Sequence, residues 1–160
     1  MAGGSRGVSR YVAPSDVRFA LEALFGKAAV DRIEVVYRPL YVRCHLAVIG
    51  ARHGSVTRPW RIYTSLSPGE FYARDMHVLH EYYHVVQQWG TQRMTRLGYL
   101  ARWRRREREA VTFAREHVER YRRLRAAACR LGERRHEPAV EDPRDDVSDR
   151  RDHERERDRV

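Results

Sequence analysis

The chain is poor in the residues that mark several large classes of protein. Two cysteines, Cys44 and Cys129, occur in 160 residues and form no C-x-x-C pair. We therefore expect neither a disulfide framework nor a cysteine zinc site, but two reduced thiols packed in apolar surroundings. No stretch approaches the ~18 consecutive apolar residues of a transmembrane helix, and none is predicted. The first residues also lack the apolar run of a signal peptide, so we expect a cytoplasmic location unless a signal-independent route exports the chain.

Lysine is nearly absent too, and acidic residues are concentrated at one end. Lys27 is the one lysine among 32 basic residues. Residues 133–160 hold 8 arginines and 11 acidic residues but no aromatic side chain. Such a segment cannot bury enough apolar surface to offset the entropy of ordering, so we predict a disordered charged tail. A flexible lead over residues 1–13 and a single domain over residues 14–132, long enough for one core, complete the predicted organisation.

The first half of the domain predicts one helix and then strands. Ser15 is placed to cap a helix that Gly26 ends. Apolar and β-branched residues predict about three strands between residues 32 and 64, including one over residues 41–49. A loop is expected over residues 65–74. Strands followed by helices indicate an α+β fold.

The most informative stretch is a helix predicted over residues 75–90, which contains the motif H-E-x-x-H. Its His80 and His84 are four residues apart, so an α-helix places both imidazoles on one face, where they can bind one metal ion. Glu81 lies about 100° round the helix and can hold a water bound to that ion. This arrangement is typical of zinc hydrolases, in which the metal lowers the pKa of its water and the glutamate takes the proton. The first residue, an aspartate, is expected to cap this helix and Gly90 to end it.

A site with two histidines still needs a third protein ligand, because catalytic zinc usually has three besides water. Residues 91–106 predict a second helix, and the apolar pattern after Ala110 predicts a further one that Gly132 closes. Glu107 and Glu109 lie at the beginning of this last helix. A carboxylate on a neighbouring helix is a simple third ligand, and both residues are candidates.

Arginines surround these two glutamates. The basic run consists of Arg102, Arg104, Arg105, Arg106 and Arg108, with Trp103 among them. Residues 1–132 as a whole carry a net charge of +13, from 24 basic and 11 acidic residues. The run is consistent with weak binding of nucleic acid or of an acidic partner, and equally with a solvated charged face.

Three segments together resemble a known family. His80-Glu81-Tyr82-Tyr83-His84-Val85-Val86-Gln87-Gln88 resembles the H-E-x-x-H-V-x-Q-Q box of small bacterial and phage zincin-like domains of uncharacterised function. Residues 55–63 resemble the strand that such domains place before the active-site helix. Glu107-Arg108-Glu109-Ala110 resembles the E-x-x-A element of gluzincins, the zincins whose third ligand is glutamate. The resemblance covers roughly residues 55–117.

The resemblance implies a zincin-like α+β metallopeptidase domain with a small N-terminal sheet and C-terminal helices. The implied zinc (Zn²⁺) ligands are His80, His84 and Glu107. Glu81 would be the general base. Val111 departs from the gluzincin element, which usually has aspartate there, and Glu109 leaves the third ligand open. Gln87 and Gly90 stand where the metzincin extension would need glycine and histidine.

We therefore expect a zinc metallopeptidase that hydrolyses peptide or protein substrates. Two other interpretations stay open. One is an inactive zincin-fold binding or structural module, for example in a phage or secretion particle, and the other is a basic nucleic-acid-binding protein. Proteolysis also needs a donor that stabilises the oxyanion. Tyr82, Tyr83, His77 and arginine residues are candidates, although for His77 we favour a packing role.

Overall fold

Helices form most of the structure, and a small three-stranded sheet completes it. This computed structural model describes residues 11–48, 54–91, 98 and 101–135. The elements are α1 (Ser15–Phe25), α2 (Lys27–Arg32), β1 (Glu34–Tyr37), α3 (Leu40–Val48), β2 (Ser55–Arg58), β3 (Arg61–Thr64), α4 (Pro68–Tyr72), α5 (Asp75–Tyr83), a π-helical segment (His84–Thr91) and α6 (Trp103–Arg135). The predicted α+β class is confirmed. Most of the predicted lead, tail and second helix lies outside the described residues.

The sheet has the strand order β1-β3-β2. β1 runs parallel to β3, and β2 pairs with β3 in the antiparallel direction. Pro59 and Trp60 form the turn between β2 and β3, and Trp60 has a φ of 62°. The guanidinium of Arg32 lies over the Trp60 ring, 3.7 Å from its centroid. β3 is the central strand of the sheet.

The long helix α6 forms the core with α1 and α5, against which it packs. Its Ala110 and Ala114 are buried, and these small side chains let the neighbouring helices approach closely. From α1, Val17, Ala20 and Leu21 point into the core and are fully buried. The remaining core residues come from β3, α4, α5 and the segments around them: Ile62, Leu66, Phe71, Tyr72, Val78, Leu79, Tyr82 and Val85. Among the described residues, no helix has the length and apolar character that crossing a membrane requires.

The strand predicted over residues 41–49 is wrong, because residues 41–48 belong to α3. β1 ends at Tyr37, and Arg38 follows with a φ of 51°. In α3, Val42 and Leu46 are buried whereas Tyr41 is exposed. Buried residues that are four apart are typical of a helix that packs one face against the core. The β-branched composition that suggested a strand is outweighed by this packing.

The loop predicted over residues 65–74 contains the short helix α4. Ser67 and Glu70 form a reciprocal capping box at its beginning. The side-chain and backbone hydrogen bonds from Ser67 lower the pKa of Glu70 to about 2. The S-x-x-E spacing is a known signal for the start of a helix, so this helix could have been predicted from the sequence.

Several predicted helix ends also differ. Pro14 rather than Ser15 precedes α1, and no side chain caps that helix. Asp75 begins α5 instead of capping it, because its carboxylate accepts hydrogen bonds from two arginines of α6. Gly90 does not end the helical structure, which continues in π-helical form to Thr91. Gly132 does not close α6 either, since that helix reaches Arg135.

The two cysteines are not packed as expected. Cys44 on α3 and Cys129 on α6 are both free and exposed. Each lies on the solvent side of a helix whose opposite side is packed, so the position on the helix decides the exposure of the thiol.

Candidate metal centre

The H-E-x-x-H residues lie where α5 ends and the π-helical segment begins. The backbone N–H of His84 donates to the carbonyl of His80, so the α-helical spacing of the two histidines is kept across this junction. His84 is 2% exposed and Glu81 5% exposed. The Nε2 atoms of His80 and His84 are 3.0 Å apart. The helix thus presents both imidazoles to one point.

Glu107, on the second turn of α6, meets the two histidines from another part of the chain. Its Oε2 is 3.2 Å from His80 Nε2, and its Oε1 is 3.3 Å from His84 Nε2. The carboxylate of Glu109 is engaged elsewhere, with Arg105 Nε at 2.9 Å and an Arg106 Nη at 3.1 Å. Of the two glutamates left open by the sequence, Glu107 is therefore the one that joins the histidines.

These three side chains have the donor set and the spacing that a metal ion requires. Tetrahedral zinc holds nitrogen and oxygen ligands at about 2.0–2.1 Å, which separates any two ligand atoms by about 3.3 Å. His80 Nε2 and His84 Nε2 are 3.0 Å apart, and each faces a different oxygen of the Glu107 carboxylate, at 3.2 and 3.3 Å. Two imidazole nitrogens and one carboxylate oxygen are also a ligand set that catalytic zinc sites use. One ligand atom from each of the three residues lies within 4.8 Å of the others, so the cluster could hold such an ion.

Gln88 fixes the orientation of His84. This side chain is fully buried and lies between two partners. Its Nε2 donates to the carbonyl oxygen of Arg106 at 3.0 Å, so its amide oxygen faces His84 Nδ1 at 2.7 Å. Because the amide oxygen only accepts, Nδ1 of His84 carries the hydrogen. A neutral His84 then has its lone pair on Nε2, the atom that faces Glu107.

The charges in the cluster shift two pKa values in opposite directions. Burial raises the pKa of Glu107, but its hydrogen bonds with His80 and His84 outweigh burial and hold the pKa well below its usual range. Burial lowers the pKa of His84, but Glu107, Glu81 and Gln88 outweigh it, and the net shift is upward. The Glu107 carboxylate therefore stays charged and attracts a positive charge, which a proton or a metal ion can supply.

Glu81 is a buried carboxyl group beside this cluster. Burial raises its pKa to about 7, although His80 and His84 act in the opposite direction. On its other side, its Oε1 is 3.7 Å from His77 Nδ1. His77 in turn has its Nε2 2.9 Å from Ser55 Oγ on β2. A carboxyl group with a pKa near neutrality can both accept and release a proton, as a general base must.

The other candidates of the sequence occupy different positions. His77 packs edge-on against Phe71 and contacts Glu81 as well, so its role is not packing alone. Tyr82 faces the hydrophobic core and is 3% exposed. The ring of Tyr83 lies against Phe113 of α6, with centroids 4.7 Å apart. Of these three, His77 is the one with a contact to a motif residue.

Sequence reasoning missed Gln88 as part of the site. The signal was present, because Gln88 lies four residues after His84 and a helix places such a pair in contact. His84 in turn lies four residues after His80, so one helical face carries all three. Comparison of the chain with protein-family models, curated proteins and solved structures found no match. The arrangement of side chains is therefore the basis for any functional conclusion.

Proposed function

We propose that this chain is a zinc-dependent metallopeptidase. The zinc ligands would be His80, His84 and Glu107, and Glu81 would be the general base. The observation that carries the proposal is the convergence of two Nε2 atoms and one carboxylate, with mutual distances of 3.0–3.3 Å, beside a buried glutamate. The H-E-x-x-H motif alone does not require that a carboxylate from another helix lie next to both histidines.

Zinc bound by these ligands would act as a Lewis acid that lowers the pKa of a water molecule and polarises a peptide carbonyl. The carboxylate of Glu81 accepts the proton of that water as its oxygen bonds to the carbonyl carbon. Glu81 then gives this proton to the amide nitrogen as the carbon–nitrogen bond breaks. The products are a carboxylic acid and an amine, and Glu81 returns to its original charge.

The other side chains of the site would keep these groups in place. Gln88 holds the Nδ1 hydrogen of His84 and thereby directs Nε2 towards the ligand position. Its bond to the Arg106 carbonyl joins the π-helical segment to α6 immediately before Glu107. Such supporting hydrogen bonds orient metal ligands and raise their basicity.

The test is proteolysis by the purified full-length chain, loaded with one equivalent of zinc, on a mixture of quenched fluorescent peptides. We expect Glu81→Gln to bind zinc normally and to lose roughly 10²- to 10⁴-fold in rate, the usual contribution of a general base. Glu116→Gln changes an exposed glutamate of α6 and is the matched control. A chelator should abolish cleavage and zinc should restore it. Equal cleavage by wild type and Glu81→Gln would refute the mechanism.

A second candidate function is supported by the same geometry. The cluster joins α5 and the π-helical segment to α6, so a metal ion held there would connect elements that are distant in sequence, as a structural zinc does. In that case zinc would raise the melting temperature, whereas neither the wild type nor Glu81→Gln would cleave any peptide. A zinc-dependent rate that requires Glu81 would reject this purely structural role.

A further inference from the structure

We propose that the basic surface beside Glu107 is a substrate subsite that binds acidic side chains of a peptide. The inference rests on the proposed peptidase function and names the class of substrate for that site. The surface is an open depression at the beginning of α6. We call it the basic depression, and its lining residues are Ala101, Arg102, Trp103, Arg104, Arg105 and Arg108.

The basic depression adjoins the candidate metal centre through helical geometry. Trp103 and Arg104 precede Glu107 by four and three residues, and such residues are neighbours on a helix surface. At 1.5 Å per residue, their Cα atoms lie within about 6 Å of Glu107 along the helix axis. Glu107 itself is partly exposed, with 32% of its side chain accessible. A peptide that reaches Glu107 from solvent therefore passes close to Trp103 and Arg104.

The arginines of this surface differ in how they are paired. Arg105 and Arg106 share the carboxylate of Glu109. Arg102, Arg104 and Arg108 are exposed, and they form no ion pair within the described part of the chain. Three guanidinium groups without a carboxylate partner create a positive potential that attracts acidic groups.

Two other arginines of α6 form ion pairs with carboxylates of neighbouring helices. Arg125 pairs with Asp16 at 2.7 Å and with Asp75 at 2.8 Å, and Arg122 pairs with Asp75 at 2.9 Å. These pairs hold α6 against α1 and α5. In the described part of the chain, Arg102, Arg104 and Arg108 make no such pair, so their charge is available to a ligand.

Trp103 gives the depression an apolar component. Its side chain is one of the large hydrophobic groups that remain exposed, at 51%. Exposed tryptophan and arginine together are the residues that most often dominate the energetics of protein interfaces. A peptide with an acidic side chain next to an apolar or aromatic one could contact both the arginines and Trp103.

A peptide fits this surface better than a nucleic acid does. The unpaired arginines of the depression extend from residue 102 to residue 108, which is about 9 Å of helix. Beyond them, exposed or partly exposed glutamates alternate with arginines along α6, at Glu109, Glu116 and Glu119. A phosphate backbone that followed the helix would meet these carboxylates, whereas one or two acidic side chains need only the short basic stretch.

The test measures binding separately from cleavage. The probe is a fluorescein-labelled peptide of alternating Asp, Phe and Ala, and the protein is zinc-loaded Glu81→Gln, which binds but does not turn over substrate. In this background, the double variant Arg104→Glu/Arg108→Glu reverses two charges of the depression. The matched control, Arg120→Glu/Arg123→Glu, reverses two exposed arginines of the same helix about 24 Å away. Circular dichroism and thermal melting verify that both variants are folded.

We expect the first double variant to weaken peptide binding by roughly tenfold or more at about 0.1 M salt, because two attractive surface pairs become repulsive. The control should change binding by less than about twofold, because screening removes interactions beyond a Debye length of about 10 Å. An analogue with Lys in place of Asp should not bind the unaltered depression. Equal weakening by both double variants would mean that net charge alone is responsible, and would overturn the proposal.

Two further outcomes separate the possible failures. If wild type cleaves acidic and lysine-containing peptides equally well, the subsite is wrong and the peptidase function stands. If wild type cleaves nothing but the acidic peptide binds and depends on Arg104 and Arg108, the subsite stands and the peptidase function is wrong. A single-stranded oligonucleotide that displaces the peptide at lower concentration, with a steep salt dependence, would overturn the peptide assignment in favour of nucleic acid.

Discussion

Replacement of Gln88 by leucine separates the orientation of the candidate ligand His84 from its presence. Gln88→Leu keeps a side chain of similar size in a fully buried position. It removes the acceptor of His84 Nδ1–H and the donor to the Arg106 carbonyl, which lie at 2.7 and 3.0 Å in the native protein. All three proposed ligands remain, so any change in metal binding reports on how they are held.

The magnitudes follow from these two hydrogen bonds. A buried polar group that loses its partner costs about 1–3 kcal/mol, so two such groups should lower the free energy of unfolding of the metal-free protein by about 2–5 kcal/mol. Loss of a supporting hydrogen bond to a ligating histidine typically lowers metal affinity by about 10- to 100-fold. We expect both effects in Gln88→Leu.

Gln88→Glu is the control that divides the two effects. A carboxylate at this position still accepts a hydrogen bond from His84 Nδ1, so the ligand tautomer is retained. An ionised glutamate has no donor for the Arg106 carbonyl. We therefore expect Gln88→Glu to keep zinc affinity close to that of wild type while its metal-free form is less stable.

Two assays measure these quantities. Urea unfolding in the presence of a chelator gives the free energy of unfolding of each metal-free variant. Competition with a chromophoric chelator gives the zinc affinity, and imidazole ¹⁵N spectra report which nitrogen of His84 carries the hydrogen. Zinc affinity of Gln88→Leu within twofold of wild type, with the fold intact, would refute the argument that Gln88 orients His84.

Three other predictions are tested by simpler measurements. Elemental analysis should find about one zinc per chain in wild type and in Glu109→Gln but almost none in Glu107→Gln; loss in both variants, or in neither, would contradict the assignment. Ser67→Ala removes the side-chain cap of α4 and should lower the free energy of unfolding by about 1 kcal/mol in urea titrations, and no change would mean that the cap is not formed in solution. Burial lowers the pKa of His77 from 6.5 to about 4, so as the pH falls the unfolded chain takes up a proton at this residue before the folded chain does. The free energy of unfolding should therefore fall by up to about 3 kcal/mol as the pH drops from 7 to 4. In metal-free protein His77→Phe should flatten that slope, and an unchanged slope would exclude His77 as its source.

The parts of the site that the sequence predicted are those that depend on one helix. His80 and His84 face the same point because residues four apart share a helical face, whatever the rest of the chain does. The same rule would have found Gln88, which sequence reasoning did not connect with His84. The α4 capping box is another local signal, since Ser67 and Glu70 are three residues apart. These features need no knowledge of tertiary structure.

The parts that the sequence did not predict depend on packing between distant segments. Residues 41–49 are rich in strand-forming residues, yet Val42 and Leu46 pack one face of a helix against the rest of the domain. Intrinsic preference for a strand is weak beside the burial of two large apolar side chains. The exposure of Cys44 follows from the same helix, because its position lies away from the packed side. Neither outcome can be read from composition.

The choice between Glu107 and Glu109 depends on packing between helices, but the apolar pattern of α6 already indicates which of the two faces the histidines. Glu107 shares its helical stripe with the buried Ala110, Ala114 and Tyr121, at intervals of three, four and seven residues. Glu109 is two residues further on and therefore on another side of the helix. The stripe that packs against α5 necessarily carries Glu107 towards the histidines.

Because the packed stripe positions Glu107, its small residues should be required for metal binding. Ala110 is fully buried one turn after Glu107, so Ala110→Leu must push α6 away from its neighbours or strain the core, at a cost of about 1–3 kcal/mol. A displacement of about 1 Å would move Glu107 out of the 3.2–3.3 Å contacts that it makes with both histidines. Misplacement of a ligand on that scale spoils a site whose residues are all present.

We therefore expect Ala110→Leu to bind zinc at least tenfold more weakly than wild type in the chelator competition, although every proposed ligand is retained. Ala126→Leu makes the same change at an exposed position of α6 and is the matched control. Far-ultraviolet circular dichroism must show the same helical content in both variants. If folded Ala110→Leu binds zinc as tightly as Ala126→Leu, the approach of α6 to α5 does not position Glu107, and its role as the third ligand loses its structural basis.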